Sequence, residues 1–351
     1  MRKRGVLPVG GAPLSLRNRD GRRLSEEEYL MEQESLAARA AGRVADALKK
    51  TSEENRYLRT VLAPFAGLLM EQARWKAELP ETEAGNALAP DATRFGNGIP
   101  VTDRQSLICL GDLWKEAAER LVPPFADGFA EVADGLRRLQ YAILKGGFDP
   151  DSYWSRVLKN RNAAVPDEVR AIGLEPEVLQ FALIQLAKPV VERRAEGLQP
   201  LIKSLTWNKG YCPICGSLPE LSLLKGKEGH RWLRCAFCAG EWRFHRTTCP
   251  NCESQKPDDI ELCYVEGREH ERVELCHNCM TYVVSVDVRT LADEIVPEVA
   301  RLGLLHLDAI AQRREFRPMN PTGWTKSAPA GAAADEASGR ASGASGGTML
   351  H

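Results

Sequence analysis

Residues 211–238 read YCPICGSLPELSLLKGKEGHRWLRCAFC and carry two Cys-x-x-Cys pairs. Residues 249–279 read CPNCESQKPDDIELCYVEGREHERVELCHNC and carry two more. Nineteen residues separate the inner cysteines of the first block, and 23 separate those of the second. Both gaps suit a hairpin that brings two Cys-x-x-Cys turns together around one metal ion. The spacing therefore predicts metal binding.

The eight cysteines predict two four-sulfur sites. We favour a grouping of neighbours along the chain, because each hairpin then closes a short loop. A cross-braced arrangement, joining the first pair to the third and the second to the fourth, is the alternative. The predicted ligands are Cys212, Cys215, Cys235 and Cys238 in site one, and Cys249, Cys252, Cys276 and Cys279 in site two.

Four sulfur ligands fill a tetrahedral shell. We therefore expect structural or electron-carrying sites rather than hydrolytic ones. Zinc and rubredoxin-like iron both suit such a shell. Thiol–disulfide exchange by one Cys-x-x-Cys pair is an alternative that leaves the other pairs unexplained.

Composition is that of a water-soluble globular chain. The 351 residues are 43% hydrophobic and 27% charged, with a formal net charge of -1. The longest apolar run, Val61–Met70, is much shorter than the roughly 20 residues that cross a bilayer. The sequence after Arg22 and Arg23 is acidic, so we expect no export signal and a cytoplasmic protein with reduced thiols. We interpret Cys109 as a small buried residue and Cys263 as a strand residue.

The sequence changes character after Thr206. Before it, apolar residues recur at helical spacing, whereas cysteine pairs, glycine, proline and short alternating stretches follow it. We predict an α+β multidomain chain in which an all-α N-terminal domain precedes two tandem rubredoxin-like or zinc-ribbon-like β modules and a C-terminal helix. The predicted segments are a disordered leader (1–23), the α-helical domain (24–206), the first module (207–246), the second module (247–288), the C-terminal helix (289–316) and a disordered tail (317–351).

Local signals predict several helix boundaries. Capping boxes at Ser25 and Thr51, each with a glutamate three residues later, predict two helix starts. The apolar stripe from Leu107 to Leu121 predicts one helix that begins near Asp103. Prolines 189 and 200 predict a kink or a break in the helix that follows residue 175.

Charge separates the two modules. Residues 225–246 hold six basic and two acidic side chains, whereas residues 253–274 hold three basic and eight acidic ones. An acidic module beside a basic one would repel a phosphate backbone that crossed both, and opposite charges suit a polypeptide partner. A nucleic-acid-binding regulator is therefore an alternative that we do not favour. A small rubredoxin-like electron carrier is the other alternative.

The segments YCPICGSLP, LRCAFCAGEWRFHRTTCPNCE and ELCHNCMTYV resemble the cysteine-rich region of the formate dehydrogenase accessory proteins. The resemblance covers about residues 211–282 and includes Gly216, Pro219 and Trp242 beside the cysteines. It implies a non-enzymatic maturation factor that binds the catalytic subunit of respiratory formate dehydrogenase before export. It also implies rubredoxin-like iron at the eight cysteines, with zinc as the alternative. A homodimer is compatible with the sequence.

Residues around the cysteine pairs lead to two further expectations. We hypothesise that Glu241, Trp242 and Arg246 help to form the partner surface, with packing between the modules as the alternative role for Trp242. Only the first pair is followed by glycine, Gly216, which permits the positive φ that lets backbone N–H groups reach sulfur. The other pairs are followed by alanine, glutamate and methionine, so we expect the two sites to differ in stability or redox behaviour.

Overall fold

The computed structural model describes residues 25–81, 90–159, 167–320 and 348–350. The helices are α1 (Glu26–Glu54), α2 (Arg59–Glu78), α3 (Ala92–Gly96), α4 (Arg104–Ile108), α5 (Leu113–Gly128), α6 (Ala133–Lys145), α7 (Pro150–Lys159), α8 (Asp167–Ile172), α9 (Pro176–Ile202), α10 (Pro297–Gly303) and α11 (Leu305–Arg313). The strands are β1 (Pro219–Lys225), β2 (His230–Cys235), β3 (Glu241–Arg243), β4 (Ile260–Val265), β5 (Glu271–Cys276), β6 (Thr281–Asp287), β7 (Arg317–Pro318) and β8 (Thr348–Leu350). The predicted leader and residues 321–347 of the predicted tail lie outside the described residues, whereas β7 and β8 fall at the two ends of that tail.

The first helix begins as predicted and ends later than predicted. The Ser25 hydroxyl accepts a hydrogen bond from the Glu28 amide at 3.2 Å, and the Glu28 carboxylate accepts one from the Ser25 amide at 2.9 Å. The predicted helix start at Thr51 is wrong, because α1 continues through that residue. The break falls at Asn55, whose side chain accepts a hydrogen bond from the Tyr57 amide at 3.1 Å. This bond caps a short 3₁₀ turn that leads into α2.

The apolar stripe from Leu107 to Leu121 is buried as predicted but belongs to two helices, α4 and α5. The Asp151 side chain lies at the break between them. It accepts hydrogen bonds from the Leu110 and Gly111 amides at 3.0 and 2.8 Å and from the Trp114 indole at 2.6 Å. A carboxylate from α7 thus binds amides that a continuous helix would bond internally.

Helix α9 lies at the centre of the helical region and runs without a break through prolines 189 and 200. Of the two predicted effects of these prolines, a kink or a break, the structure excludes the break. Leu179, Leu183 and Leu186 are fully buried along this helix. Tertiary packing of this apolar face maintains the helix although each proline removes one backbone hydrogen bond.

A single sheet contains the strands of both predicted modules. Its strand order is β3-β2-β1-β6-β5-β4-β8, and β7 pairs with β6. Antiparallel hairpins form each half, and β1 pairs in parallel with β6 from Leu221 opposite Val284 to Leu224 opposite Asp287. The predicted fold class is confirmed, with the addition that the two ribbon-like halves share one continuous sheet. The predicted C-terminal helix is two helices, α10 and α11, separated at Leu304.

The apolar core is continuous from the helices into the first cysteine-rich half. One buried cluster contains Leu183 and Leu186 of α9 together with all four cysteines of site one. Site two instead lies in a small cluster with Val283 and Met319. Among the described helices, none is long and apolar enough to cross a membrane.

Candidate metal centres

The four cysteines of site one converge on one point. Their sulfur atoms all lie within 4.8 Å of one another. The Sγ–Sγ distance is 3.6 Å for Cys212 and Cys238, 3.5 Å for Cys215 and Cys235, and 3.6 Å for Cys215 and Cys238. A tetrahedron with metal–sulfur bonds of about 2.3 Å has sulfur–sulfur edges of about 3.8 Å. The donor set and its spacing therefore fit zinc or rubredoxin-like iron.

Site two has the same architecture. Its four sulfurs also lie within 4.8 Å of one another. The Sγ–Sγ distance is 3.7 Å both for Cys249 with Cys279 and for Cys252 with Cys276. The structure thus groups the cysteines as neighbours along the chain, and each ribbon-like half supplies one complete set of four sulfurs.

One turn geometry recurs at the four Cys-x-x-Cys pairs. In the first three pairs, the amide of the first cysteine donates to the carbonyl five residues later, at 2.8, 2.9 and 3.0 Å. The residue after the second cysteine has a positive φ in all four: Gly216 (74°), Ala239 (57°), Glu253 (55°) and Met280 (53°). The expected knuckle conformation is therefore present at all four pairs, although three of these residues are not glycine. An L-residue in this conformation costs roughly 1–2 kcal/mol, which the surrounding structure must offset.

Polar hydrogens point at the sulfurs. The Ile214 amide lies 3.4 Å from Cys212 Sγ, and the Phe237 amide lies 3.4 Å from Cys235 Sγ. In site two the Asn278 side-chain amide lies 3.3 Å from the Sγ of Cys252. Such N–H donors stabilise thiolate charge and tune the redox poise of a bound metal.

The pKa values of the cysteine thiols depend on burial and on hydrogen bonds between the sulfur atoms. Burial raises the pKa of Cys212 well above its ordinary value and raises the pKa of Cys276 to about 11. In the Cys249–Cys279 pair, the hydrogen bond between the two sulfurs raises the pKa of Cys249 and lowers the pKa of Cys279 to about 4. A metal cation would replace these protons, so metal affinity should fall as the pH falls.

The two sites differ in their exposure. All four cysteines of site one are buried, and the loop before α4 binds its first knuckle: the Val101 and Thr102 amides donate to the Pro213 and Ile214 carbonyls, both at 2.9 Å. In site two, Cys252 and Cys279 are partly exposed. Site one is therefore enclosed by the main core, whereas solvent can approach two sulfurs of site two.

Buried polar contacts join the two halves. Arg231 is 2% exposed and forms a buried ion pair with Glu274 of the other half. Its guanidinium also donates to the Thr248 carbonyl at 2.8 Å. The backbones approach closely at Gly210, where a Cβ atom would lie 1.8 Å from the carbonyl oxygen of Pro250. The two sites are thus held in one rigid unit.

The predicted partner residues occupy different environments. Trp242 is 4% exposed and its indole donates to the Lys209 carbonyl at 3.1 Å, so the structure makes it a core residue and removes it from the predicted partner surface. Glu241 is partly buried and forms an ion pair with Lys225. Arg246 is exposed.

The remaining cysteines also differ from one another. Cys263 lies buried in β4, as expected of a strand residue, and accepts a hydrogen bond from Arg314 at 3.0 Å. Cys109 is exposed, so its interpretation as a buried residue is wrong. The physical reason is that α4 ends at Ile108, which turns the next residue away from the apolar stripe.

A cavity beside site one could not be predicted from the sequence. A cavity of about 680 Å³ lies between the helical region and the second knuckle of site one, and we name it the junction cavity. Its charged lining includes Lys76, Lys188 and Glu192 from α2 and α9, together with Arg234 and Glu298. These residues are far apart along the chain and only the tertiary fold brings them together.

Part of the chain is similar to known proteins. A family model described as "FdhE, central domain" matches residues 211–246. The "Protein FdhE homolog" of Aquifex aeolicus is 30% identical over 149 residues, which is 41% of this chain and 51% of the relative. That of Edwardsiella ictaluri is 35% identical over 204 residues, which is 57% and 58%. The chain thus spans between half and three-fifths of the length of these two curated relatives.

A solved structure shares the fold. The crystal structure of the FdhE protein from Pseudomonas aeruginosa matches with a TM-score of 0.55 and 22% identity, and the match covers 83% of this chain and 96% of that one. The fold and the two clusters define a helical protein with a pair of four-cysteine, zinc-ribbon-like sites. The chain is similar to FdhE proteins over part of its length.

Proposed function

We propose that this chain is a cytoplasmic, metal-binding accessory protein that binds the catalytic subunit of formate dehydrogenase and assists its assembly before export. The observation that carries the proposal is the pair of complete four-sulfur clusters, the first of which lies within the residues that match the FdhE central domain. A site with four sulfur ligands leaves no coordination position for a substrate. The clusters therefore suit a protein that acts by binding another protein, and we propose no enzymatic activity.

The distribution of charge supports a protein partner over nucleic acid. Arg231 and Arg234 are two of the six basic residues in the segment 225–246, and both are buried in ion pairs. They cannot neutralise phosphates from inside the core, so the surface available to a nucleic acid is smaller than the sequence indicates. Salt-dependent binding of DNA or RNA by the metal-loaded protein would contradict this reasoning.

Co-purification tests the proposed function. The metal-loaded protein, with an affinity tag, is mixed with the catalytic subunit of formate dehydrogenase, and we expect the subunit to be retained. The exposed Arg246 provides a surface variant, Arg246→Glu, that should weaken retention if this part of the predicted partner surface is used. A subunit that is never retained refutes the function, whereas normal retention by Arg246→Glu removes only that residue from the surface.

The metal ion requires its own measurement. We propose rubredoxin-like iron on the basis of the family resemblance, with zinc as the alternative. Zinc would supply a fixed cross-link, whereas iron would also supply a one-electron redox change. Metal analysis and a visible spectrum of protein purified without air distinguish them, because ferric sulfur sites absorb visible light and zinc sites are colourless.

The partly exposed sulfurs of site two favour electron transfer as a second candidate function. Cys252 and Cys279 provide the shorter path between a bound metal and solvent. We expect reversible reduction and reoxidation of iron-loaded protein if this candidate is correct. An iron-loaded sample that cannot be cycled would exclude it and would leave the accessory function untouched.

A further inference from the structure

The junction cavity is built from three parts of the fold. Helices α1, α2 and α9 form one side, the knuckle after β2 forms another, and residues 295–298 close a third. Its volume of about 680 Å³ falls within the roughly 300–1,000 Å³ typical of ligand-binding cavities. The cavity is therefore large enough for a short piece of polypeptide.

Its wall presents one acceptor and one donor that do not satisfy each other. Glu192 is 4% exposed, and its Oε2 accepts a hydrogen bond from Lys76 at 2.8 Å. Among the described residues, Oε1 of the same carboxylate has no hydrogen-bond partner. Lys188 Nζ and the Arg234 guanidinium form ion pairs with that Oε1 at 3.8 and 4.0 Å, and both distances are beyond hydrogen-bond distance. A buried polar atom of this kind favours a ligand that completes its hydrogen bonding.

Part of the lining is apolar. Val44, Leu69, Ala73, Ile295 and Val296 all contribute to it. Five basic and four acidic residues line the cavity, so a free ion of either sign would meet side chains of the same sign. A neutral amide avoids both repulsions, and one residue of an extended chain presents its N–H and C=O on the same side. Its side chain could then occupy the apolar part.

We propose that the junction cavity binds an extended polypeptide segment with an apolar side chain. The segment's N–H would donate to Glu192 Oε1, and its C=O would accept from Lys188. The inference rests on the proposed accessory function, because it assigns the segment to the catalytic subunit of formate dehydrogenase.

Binding of the polypeptide segment in the cavity should depend on the metal at site one. Cys238 and Ala239 of site one line the cavity, so one wall is the turn that a site-one metal would fix. Loss of that metal would free the turn and disturb the wall. We therefore expect the metal-free protein to bind the segment about tenfold more weakly or worse.

Two variants and one matched control test the cavity. Ala77→Phe places a ring in the cavity from α2, and Lys188→Met removes the donor. Ala38→Phe makes the same change as the first variant at an exposed position of α1. Circular dichroism and metal content show whether each variant folds. The probes are the full-length catalytic subunit and overlapping short peptides that cover its sequence.

We expect wild type and Ala38→Phe to bind the subunit and at least one peptide, and both cavity variants to bind each about tenfold more weakly. If the folded cavity variants bind both probes like wild type, the cavity proposal is refuted and the accessory function stands. If wild type binds the subunit but no peptide, the cavity proposal is likewise refuted. If wild type does not bind the subunit at all, the accessory function fails and the cavity proposal fails with it.

Discussion

Replacing Ala239 by glycine should stabilise the metal-loaded protein. Ala239 follows the second cysteine pair with a φ of 57°, in the left-handed region that favours glycine. Only one methyl group is removed, so the change isolates the backbone effect. The same knuckle position after the first pair is Gly216, with a φ of 74°, so site one contains both the perturbed residue and its natural reference.

The expected gain follows from two opposing terms. An L-residue in the left-handed conformation costs roughly 1–2 kcal/mol, and glycine removes that cost. Glycine also loses more conformational freedom on folding, by about 0.5–1 kcal/mol relative to alanine. The free energy of unfolding should therefore rise by about 0.5–1 kcal/mol. The reverse change, Gly216→Ala, should lower it by a similar amount or more, because the new Cβ would also lie 3.2 Å from the Pro100 ring.

Denaturant unfolding followed by tryptophan fluorescence measures both changes, with metal saturation held constant because bound metal itself stabilises the fold. The matched control is Ala38→Gly on the exposed side of α1, where the same substitution should destabilise by about 0.5–1 kcal/mol. A rise in the free energy of unfolding for Ala239→Gly together with a fall for Ala38→Gly would support the reasoning. Equal destabilisation by the two substitutions would refute it.

Three further predictions concern the ion pair, the metals and pH. Arg231→Met should destabilise the protein by about 3–5 kcal/mol in denaturant unfolding, because it leaves the Glu274 charge buried. Lys50→Ala, which removes an exposed ion pair, should cost far less. Similar losses of unfolding free energy for the two variants would contradict this reasoning. A chelator should remove metal in two phases, with the partly exposed site two losing its metal first. Cys279→Ser should lower the metal content from about two ions to about one. Release of both metals in a single phase would contradict the proposed effect of exposure. Burial lowers the pKa of His306, so the unfolded chain takes up this proton first and stability should fall as the pH drops below about 6.5. The variant His306→Gln should lose that part of the pH dependence in melts between pH 7.5 and 5.5, and an unchanged profile would show that other groups cause it.

The fold class could be predicted because its signals are local. Cysteine pairs, turn residues and period-two alternation all lie within short stretches, and the capping box at Ser25 is complete within four residues. Helix ends were less predictable because tertiary contacts decide them. The carboxylate of Asp151 separates α4 from α5 from about 40 residues away, and packing around Leu183 maintains α9 across its prolines.

The site could be predicted only in part, for a similar reason. Cysteine spacing identifies both sets of ligands, and the strand alternation places Trp242 and Phe244 on one face. It does not say that this face is covered by the helical core, so the sequence leaves open whether Trp242 belongs to a partner surface or to the interior, where the structure places it. The charge count likewise could not show that Arg231 and Glu274 pair inside the protein. Long-range partners of this kind have no signature in one sequence.

The parallel pairing of β1 with β6 has a consequence for how this protein can be cut or recombined. These two strands are the middle of the sheet, so removal of either ribbon-like half would turn the central strand of the other into an unprotected edge. Exposed edges of this kind invite pairing with other chains and aggregation. A fragment, fusion or domain swap should therefore keep residues 207–288 together. This holds even though each half contains a complete set of metal ligands.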